Sequence, residues 1–281
     1  VLARATALGP GDAERFRARL EADRERARLI EDRLAVPRTP PAPSTLSVSS
    51  VIDYVKCPKL FYWSAVRPLP RRPNPAARLG SEVHRWIELQ GSGQATLLDV
   101  DELPDLSTDE RSGDPPPARR LKEAFRASRF ASRTPLYTER PFLLYVDGMV
   151  VGGRIDAVFG TVDGPWEVVD YKTGRVPPES DPLTGLQLDL YGLACVEVWG
   201  KRPEDLTLTY LYLAEGKEVT RPAGDPTEVR ARVARALAGI AAARFEPTPG
   251  RQCGWCDFLA FCPPGREHVE ASSRGEGVRA P

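Results

Sequence analysis

The sequence predicts an α/β domain in which helices flank a sheet formed by the middle of the chain. Three stretches rich in β-branched and aromatic residues, 137–145, 149–159 and 166–172, predict consecutive strands. Asp147-Gly148 and Asp163-Gly164 separate these strands, and an Asp-Gly pair between strands is a strong hairpin signal. Segments with helical periodicity lie on both sides of this region, which favours a sheet covered by helices.

The N-terminal part of the chain is predicted to be a separate arm. Residues 11–34 are dense in Arg and Glu, which is typical of a solvated helix, and the proline-rich run 37–43 predicts a stiff linker. We therefore assign residues 1–44 to a charged helical arm with a Pro-rich linker. Because the chain begins with Val1 rather than Met, we expect a piece of a longer polypeptide.

Residues 45–268 are predicted to form the main domain, and residues 269–281 a disordered tail. Ser47 to Ser50 provide N-cap candidates for an apolar-periodic segment that runs through Trp63. The other predicted elements are a loop at 67–78, helices at 79–90 and 118–130 around an acidic loop at 99–117, and, after the three strands, a helix at 183–198, a strand at 206–213 and a helix at 226–243.

Length and composition restrict the class of protein. With 281 residues and 41% hydrophobic content, the chain can build one sizeable core. No run reaches the roughly 18 apolar residues of a membrane span, and no signal peptide is visible, so we expect a cytoplasmic protein without a membrane partner. The formal net charge of zero does not by itself favour nucleic-acid binding. The five cysteines, odd in number and without an export signal, favour metal or cluster ligation over disulfides.

Asp170 and Lys172 lie two residues apart in a predicted strand, so their side chains share one face of the sheet. This pairing suits a metal-dependent phosphodiesterase, in which the acid holds a cation and the lysine orients water or balances charge on the phosphate. The alternative is a surface sheet with scattered acids, although acids are depleted in the middle of β-branched strands.

The two hairpins bring further acids near Asp170. A two-residue second turn places Asp156 opposite Tyr171, whereas a shift of one residue, through a bulge or a longer loop, places Asp156 opposite Asp170. A two-residue first turn places Glu139 opposite Asp156. Up to three carboxylates can then line up across the sheet, and their repulsion argues for a cation between them.

Four short motifs, in this order, resemble the core of RecB-like nucleases of the PD-(D/E)xK superfamily. They are Gly80-Ser81-Glu82-Val83-His84, Gly152-Gly153-Arg154-Ile155-Asp156, Asp170-Tyr171-Lys172-Thr173-Gly174 and Gln187-Leu188-Asp189-Leu190-Tyr191. The resemblance spans about residues 46–265, and the ordered set is specific where each motif alone is weak. It implies a restriction-endonuclease-like fold, with a central mixed sheet flanked by helices, and metal-dependent deoxyribonuclease activity.

The resemblance also implies roles for individual residues. Its metal, Mg²⁺ or Mn²⁺, would be held by His84, Asp156, Asp170 and the backbone carbonyl of Tyr171, with Glu139 as a supporting acid. The catalytic residues would be Asp156, Asp170, Lys172, Gln187 and Tyr191. The last two lie four apart on one helix face and would steady the site or the DNA strand. The alternatives are a histidine without a role and an ordinary helix face for Gln187 and Tyr191.

Four of the five cysteines form a pattern. Cys253-Gly254-Trp255-Cys256 is a C-x-x-C unit, Cys262 follows it, and Cys57 lies far upstream. Thiolates at such spacings can close on one metal centre, and spacing alone leaves zinc and iron–sulfur open. The pattern resembles the iron–sulfur staple of AddB-type helicase–nucleases, which implies a 4Fe-4S cluster that joins the N- and C-terminal parts of the domain. Cys195, in an apolar helix, is interpreted as a buried core thiol.

The sequence has no G-x-x-x-x-G-K-[ST] phosphate loop, so this chain is not itself an ATP-driven motor. The resemblance to AdnAB- and AddAB-like enzymes implies the nuclease part of a helicase–nuclease. Its expected partners are DNA, a helicase motor in the same polypeptide and a second helicase–nuclease subunit. Its expected role is exonuclease action on single-stranded DNA ends in double-strand break processing and recombinational repair. Two alternatives are a non-catalytic DNA-binding or scaffold domain of such a complex and a zinc-bound nucleic-acid module.

A basic segment precedes the predicted helix that carries His84. Its candidates for phosphate contacts are Arg67, Arg71, Arg72 and Arg78. A solvated loop without DNA contacts is the alternative for this segment.

Overall fold

A computed structural model describes residues 10–35, 43–71, 74–91, 116–177 and 185–276. The chain divides into two compact units, residues 1–41 and 42–281. In the described part of the first unit, the predicted charged helix is present as α1 (Pro10–Ala35), and its described side chains are mostly exposed. The predicted Pro-rich linker falls almost entirely outside the described residues.

The described strands of the second unit form one mixed sheet. Their bounds are β1 Thr45–Ser47, β2 Tyr137–Val146, β3 Met149–Gly160, β4 Trp166–Lys172, β5 Leu206–Tyr212 and β6 Lys217–Pro222. The strand order is β1-β3-β4-β5-β6, and β2 also pairs with β3. β1 runs parallel to β3 and β4 runs parallel to β5, while the remaining pairs are antiparallel. The α/β class with a mixed sheet agrees with the sequence prediction.

Helices cover this sheet. Their bounds are α2 Val48–Lys56, α3 Pro58–Phe61, α4 Pro75–Gly91, α5 Pro116–Ala127, α6 Leu186–Trp199, α7 Pro226–Ala241 and α8 Pro263–Glu276. The start of α2 is fixed by a predicted cap, because the Ser47 hydroxyl accepts a hydrogen bond of 3.0 Å from the Ser50 N–H. A π-helical turn, Tyr62–Val66, continues α3.

Apolar side chains cover both faces of the sheet, since alternate residues of a strand point to opposite sides. On β4, Val168 lies in one cluster with residues of α2, α6 and α7. Its neighbours Val169 and Tyr171 lie in a second cluster with residues of α4 and α5. Burial of these two clusters is the main stabilising contribution to the fold. It also places the acidic end of β4 between two layers of helices.

The β3–β4 hairpin has the register on which the acidic site depends. Residues 161–165 form a loop longer than two residues, and Ala157 therefore lies opposite Val169. Continuing this register brings Asp156 opposite Asp170. The irregular loop is thus the alternative that the sequence required for these two carboxylates to converge.

The β2–β3 hairpin has the register of a two-residue turn, but its ladder is interrupted at one position. The residues on either side are paired, whereas Glu139 and Asp156 are not, and Glu139 has a φ of +48°. The inward-facing residues also change parity here, from Phe142 on one side of the break to Tyr137 on the other. A non-glycine residue at positive φ is strained, and such strain concentrates at functional sites.

Two strands are absent from the sequence prediction. β1 has only three residues, too few for an alternating pattern. β6 lies at the edge of the sheet, and its charged and polar residues are exposed or half-buried. Edge strands are commonly short and charged, which hides them from a search for apolar alternation.

Two helices depart most from the sequence prediction: α4 at its start, and α8, where no helix is predicted. α4 begins at Pro75, inside the predicted loop 67–78, because proline suits the first position of a helix and Asn74 Oδ1 accepts the N–H groups of the next turn. α8 extends to Glu276, so residues 269–276 are helical rather than part of a disordered tail. The hydroxyls of Ser272 and Ser273 bond back to carbonyls one turn earlier, and the exposed, polar helix lacks the apolar stripe that would predict it.

Two predicted segments are only partly visible. The acidic loop at 99–117 lies outside the described residues except for its last two, which begin α5, and residues 277–281 also lie outside them. None of the helices in the described part of the chain combines the length and the apolar character needed to cross a bilayer.

Gly239 provides a test of the packing between α7 and α2. An added Cβ would lie 2.1 Å from the Tyr54 hydroxyl, which is held in place by donating a 2.9 Å hydrogen bond to the Arg244 carbonyl. We expect Gly239→Ala to lower the free energy of unfolding by about 1–3 kcal/mol, despite the better helix propensity of alanine. Chemical denaturation measures this. Gly174→Ala, where an added Cβ meets nothing within 4 Å, is the control.

Candidate active site

The candidate site lies in an open cleft of about 1650 Å³ beside the break in the β2–β3 ladder. Six of the predicted site residues line this cleft: His84, Glu139, Asp156, Lys172, Gln187 and Tyr191. Asp170 is 1% exposed. The fold therefore brings together, from α4, β2, β3, β4 and α6, side chains that are up to about a hundred residues apart in the chain.

Asp156 occupies the point where the β3–β4 pairing ends. Its Oδ2 accepts the N–H of Tyr171 at 2.9 Å, so the side chain satisfies a backbone donor beyond the last paired residues. The same oxygen lies 3.4 Å from Nδ1 of His84 on α4. The carboxylate of Asp156, the imidazole of His84 and the Tyr171 peptide are therefore neighbours.

Gln187 connects the predicted lysine to the predicted acid. Its Oε1 accepts a 2.6 Å hydrogen bond from Lys172 Nζ, and its Nε2 donates to Asp170 Oδ1 at 2.8 Å. Nε2 also donates to the hydroxyl oxygen of Tyr191 at 2.7 Å, one turn further along α6. The shared helix face of Gln187 and Tyr191 is thus directed at Asp170 and Lys172.

Asp170 has one buried carboxylate oxygen, Oδ2, with an ion-pair partner but no hydrogen bond. Oδ2 lies 2.6 Å from Lys172 Nζ, yet it has no partner with hydrogen-bond geometry. Among the buried side-chain nitrogens and oxygens in the described part of the chain, it is the one without a hydrogen bond. An unsatisfied buried acceptor is costly, and native structures rarely keep one without a ligand or a role. A bound cation would be a further partner for this oxygen beside Lys172.

The repulsion between the two opposed carboxylates also favours a bound cation. Burial, followed by the neighbouring Asp170 carboxylate, raises the pKa of Asp156 well above its usual range, and the Tyr171 N–H and Lys172 only partly oppose this. Two opposed carboxylates with little access to water are destabilising when both are charged. A divalent cation relieves both the repulsion and the loss of solvation.

Glu139 adds a third acid at the break in the ladder. Ligand atoms of His84, Glu139 and Asp156 lie within 4.8 Å of one another, close enough to share a cation. Burial raises the pKa of Glu139, against the opposing charge of Arg154, whose Nε lies 2.5 Å from Glu139 Oε2.

The environment of His84 favours a neutral ring. Burial is the largest cause that lowers its pKa, and the Asp170 carboxylate opposes this shift. A neutral imidazole has the free lone pair that a metal ligand needs. The ring packs edge-on against Tyr171, with the centroids 6.2 Å apart, which restricts its orientation.

The predicted DNA-contacting arginines do not line the cleft. Arg67 and Arg78 are exposed elsewhere, and Arg71 lies 3.6 Å from Asp53 beside the cysteines described below. Arg72 lies outside the described residues. A role for these residues in binding DNA stays a prediction.

Three other arginines line the cleft and were not selected from the sequence: Arg85, Arg140 and Arg154. Strand alternation could have identified Arg154, because it lies two residues before Asp156 in a predicted strand. Arg85 and Arg140 carry no comparable local signal, since their position depends on how α4 and β2 pack around the cleft.

The four patterned cysteines lie at a second cavity, of about 200 Å³. Cys57 lies at the junction of α2 and α3, while Cys253, Cys256 and Cys262 come from the turns before α8. The other three thiols contribute to raising the pKa of Cys256, after burial as the largest cause, which reflects their proximity. The fold thus brings residue 57 next to residues 253–262.

Backbone groups are oriented towards two of these sulfurs. Thr248 N–H donates to Cys57 Sγ at 3.4 Å, and Gly250 N–H donates to Cys253 Sγ at 3.5 Å. N–H groups directed at sulfur stabilise thiolate ligands. Among the described residues, however, no three of these sulfurs lie within 4.8 Å of one another, unlike the ligand atoms of the carboxylate site.

The fifth cysteine behaves differently. Cys195 is fully buried in the middle of α6, as the sequence predicts, and burial raises its pKa to about 12. Its thiol therefore stays protonated and packs as an apolar group.

Comparison with protein families assigns this architecture. The model described as the PD-(D/E)XK nuclease superfamily matches residues 45–263, most of the chain. The chain belongs to that superfamily. Its nucleases are usually metal-dependent hydrolases, which agrees with the cluster of His84 and acidic ligands.

Two solved structures are similar to this chain. One is the crystal structure of a protein designated SSO0001, with 17% identity, a TM-score of 0.45, and coverage of 85% of this chain and 94% of that chain. The other is a candidate exonuclease from Eubacterium rectale, with 14% identity, a TM-score of 0.48, and coverage of 80% of this chain and 88% of that chain. A comparison with curated proteins finds no match.

Removing one of the opposed charges should stabilise the metal-free protein. We expect Asp156→Asn to raise the free energy of unfolding in EDTA by about 0.5–2 kcal/mol, because it relieves the repulsion from Asp170 and keeps the oxygen that accepts the Tyr171 N–H. Since the pKa of Asp156 is raised in the folded state, its stabilising contribution is lost as pH rises above the usual value of 3.8.

The gain from Asp156→Asn should therefore be larger at pH 8 than at pH 5, as measured by denaturant titration at both values. Asp163→Asn, in the exposed β3–β4 loop, is the control and should change neither value. A gain that is equal at both pH values would contradict the assigned origin of the strain.

Proposed function

We propose that this chain is a metal-dependent deoxyribonuclease that hydrolyses phosphodiester bonds in the β2–β3 cleft. One observation carries the proposal. The buried Asp170 carboxylate lies opposite Asp156, and its Oδ2 is ion-paired at 2.6 Å with Lys172, whose ammonium is held in place by Gln187. Two opposed acids with a positioned lysine suit charge stabilisation on a phosphate better than they suit a structural core.

The donor set fits Mg²⁺ or Mn²⁺. Carboxylate and carbonyl oxygens with one neutral imidazole are ligands that such cations accept. Asp156, Asp170, His84 and the backbone carbonyl of Tyr171 would hold the ion, with Glu139 as a supporting acid. When bound, such an ion polarises a phosphate and lowers the pKa of coordinated water.

The remaining groups position and neutralise. Lys172 presents its ammonium from the end of β4, where it balances the negative charge that develops on the phosphate in the transition state. Gln187 bonds both Lys172 and Asp170, so it keeps the lysine and the acid in a fixed relation. Tyr191 supports Gln187 from the next turn of α6. Such preorganisation avoids reorganisation during the reaction.

DNA is the proposed substrate. Membership of the superfamily supports it, and the cleft is open and lined by three arginines beside the acids. The resemblance of the motifs to those of AddAB- and AdnAB-like enzymes supports exonuclease action on single-stranded ends. It also supports a helicase motor in the same polypeptide, a second helicase–nuclease subunit, and a place in double-strand break processing and recombinational repair.

We further propose that Cys57, Cys253, Cys256 and Cys262 hold a 4Fe-4S cluster with a structural role. Their common cavity and the N–H groups directed at two sulfurs support thiolate ligation. Four thiolates suit either zinc or an iron–sulfur cluster. The resemblance of the cysteine pattern to the staple of AddB-type enzymes supports the cluster.

Metal-dependent cleavage tests the nuclease. The purified chain with Mg²⁺ or Mn²⁺ should degrade end-labelled single-stranded DNA, and EDTA should stop the reaction. Asp170→Asn and Lys172→Gln should each lower the rate by about 10²-fold or more, because each removes a charge that acts at the reacting phosphate. Lys217→Gln and Asp163→Asn, both at exposed positions, are matched controls that should cut as wild type does.

Two results would overturn the nuclease proposal: wild-type protein that leaves DNA intact with either metal, or Asp170→Asn protein that cuts at the normal rate. In the first case, DNA binding measured by fluorescence anisotropy would identify a non-catalytic binding domain.

Anaerobic purification tests the cluster. We expect brown protein with iron and inorganic sulfide in equal amounts, and Cys256→Ser should lose both the colour and much of the thermal stability. Cys195→Ser, which changes a thiol remote from the cysteine cavity, is the control and should keep the colour. Colourless protein that contains one zinc ion would show the cluster proposal to be wrong.

A further inference from the structure

Arg154 lies between the candidate metal site and the open cleft. Its Nε is 2.5 Å from Glu139 Oε2, and its side chain is 67% exposed, whereas that of Glu139 is 16% exposed. Glu139 in turn has its ligand atom within 4.8 Å of those of His84 and Asp156. One positive charge is thus bound to a candidate metal ligand and remains open to the solvent of the cleft.

The ion pair with Arg154 accompanies a strained backbone conformation at Glu139. Its φ of +48° is strained for a side chain with a Cβ, and it interrupts an otherwise regular ladder. A regular strand would cost less, so the break persists only because surrounding contacts stabilise it. The ion pair with Arg154 is one such contact, and it holds the carboxylate beside Asp156.

Two other cationic side chains of the cleft, those of Lys172 and Arg140, have different contacts. Lys172 is held by Gln187 and Asp170. The guanidinium of Arg140 lies over the ring of Tyr137 at 4.6 Å. Only for Arg154, among the cleft arginines in the described part of the chain, does the structure give an ion pair with a candidate metal ligand.

An arginine in this position opposes cation binding. Its charge attracts Glu139 and repels a divalent ion a few ångströms away, although solvent screens part of both effects because the Arg154 side chain is 67% exposed. A DNA phosphate is an equivalent partner for the Arg154 guanidinium, because guanidinium groups bind phosphate and carboxylate oxygens in the same bidentate manner. Moving Arg154 from Glu139 to a phosphate would therefore remove its unfavourable effect on cation binding.

We propose that Arg154 is a positioning residue that exchanges partners: it neutralises Glu139 in the free protein and binds a backbone phosphate when DNA enters the cleft. Glu139 is then left to the divalent cation. This inference rests on the proposed function and adds a linkage to it. DNA tightens metal binding, and metal tightens DNA binding by the same factor.

Metal affinity measured with and without DNA tests the exchange. Mn²⁺ is titrated into the protein by calorimetry, alone and with a short single-stranded phosphorothioate DNA that resists hydrolysis. For wild type, we expect the DNA to tighten Mn²⁺ binding about 10-fold. Arg154→Gln should bind Mn²⁺ about 10-fold more tightly without DNA, because the opposing charge is gone, and should lose most of the gain from DNA.

The DNA side of the linkage has its own readout. Arg154→Gln should weaken DNA binding and reduce the slope of log affinity against log salt by about 1, since one phosphate contact is lost. Arg154→Lys should keep the opposition to Mn²⁺ but recover only part of the DNA affinity, because an ammonium lacks the bidentate fork.

Two further variants isolate the Glu139 pair. In a Glu139→Gln background, Arg154→Gln should tighten Mn²⁺ binding less than it does in wild type, because only the direct repulsion of the cation is then relieved, so that the two substitutions are not additive. Arg202→Gln is the matched control: Arg202 is 69% exposed and pairs with Asp205 at 2.8 Å, but it does not line the cleft. It should leave both titrations unchanged.

The outcomes separate this inference from the proposed function. If wild type cuts DNA but Arg154→Gln has wild-type Mn²⁺ affinity with and without DNA, the exchange is overturned and the nuclease stands. If wild type neither binds nor cuts DNA, the proposed function fails and the exchange fails with it. Unchanged circular dichroism of each variant shows that a lost linkage is not a loss of folding.

Discussion

Two carboxylates opposed across a covered sheet are the constraint on which the rest of this structure depends. Asp156 and Asp170 face each other where β3 and β4 separate, and neither has the access to water that would solvate its charge. The contacts that partly offset this loss of solvation also position the groups of the candidate site. The Tyr171 N–H fixes one acid, and Lys172 and Gln187 hold the other without satisfying it fully. Stability is given up at this position, as is common at functional sites.

The surrounding elements serve this pair from different distances in sequence. α4 brings a neutral imidazole, α6 brings an amide one turn from a tyrosine, and the break in β2 brings a third acid with its own counter-charge. No single helix or strand contains the whole site, so the sequence of one element alone does not reveal it. This explains why the motifs are informative only as an ordered set, and why the family match extends over most of the chain.

The sequence predicts what depends on local period and misses what depends on packing. Strand alternation placed Asp170 and Lys172 on one face, and the hairpin turns limited the register of Asp156 to two choices. The choice itself depended on the loop at 161–165, whose conformation no periodicity encodes. The positive φ of Glu139 and its ion pair with Arg154 arise from tertiary structure, and β6 and the end of α8 lack an apolar pattern.

The contact between the two ends of the domain has a consequence for synthesis on the ribosome. Tyr54 hydrogen-bonds to the Arg244 carbonyl, and Gln252 hydrogen-bonds to the Lys56 carbonyl, across separations of 190 and 196 residues. α2 is synthesised long before residues 244 and 252, so these two contacts can form only after most of the domain has been made. Contacts of such long range slow folding and leave the nascent chain dependent on protection from aggregation. Because these contacts join the first helix of the domain to its C-terminal segment, we expect loss of that segment to destabilise the domain more than its surface position suggests.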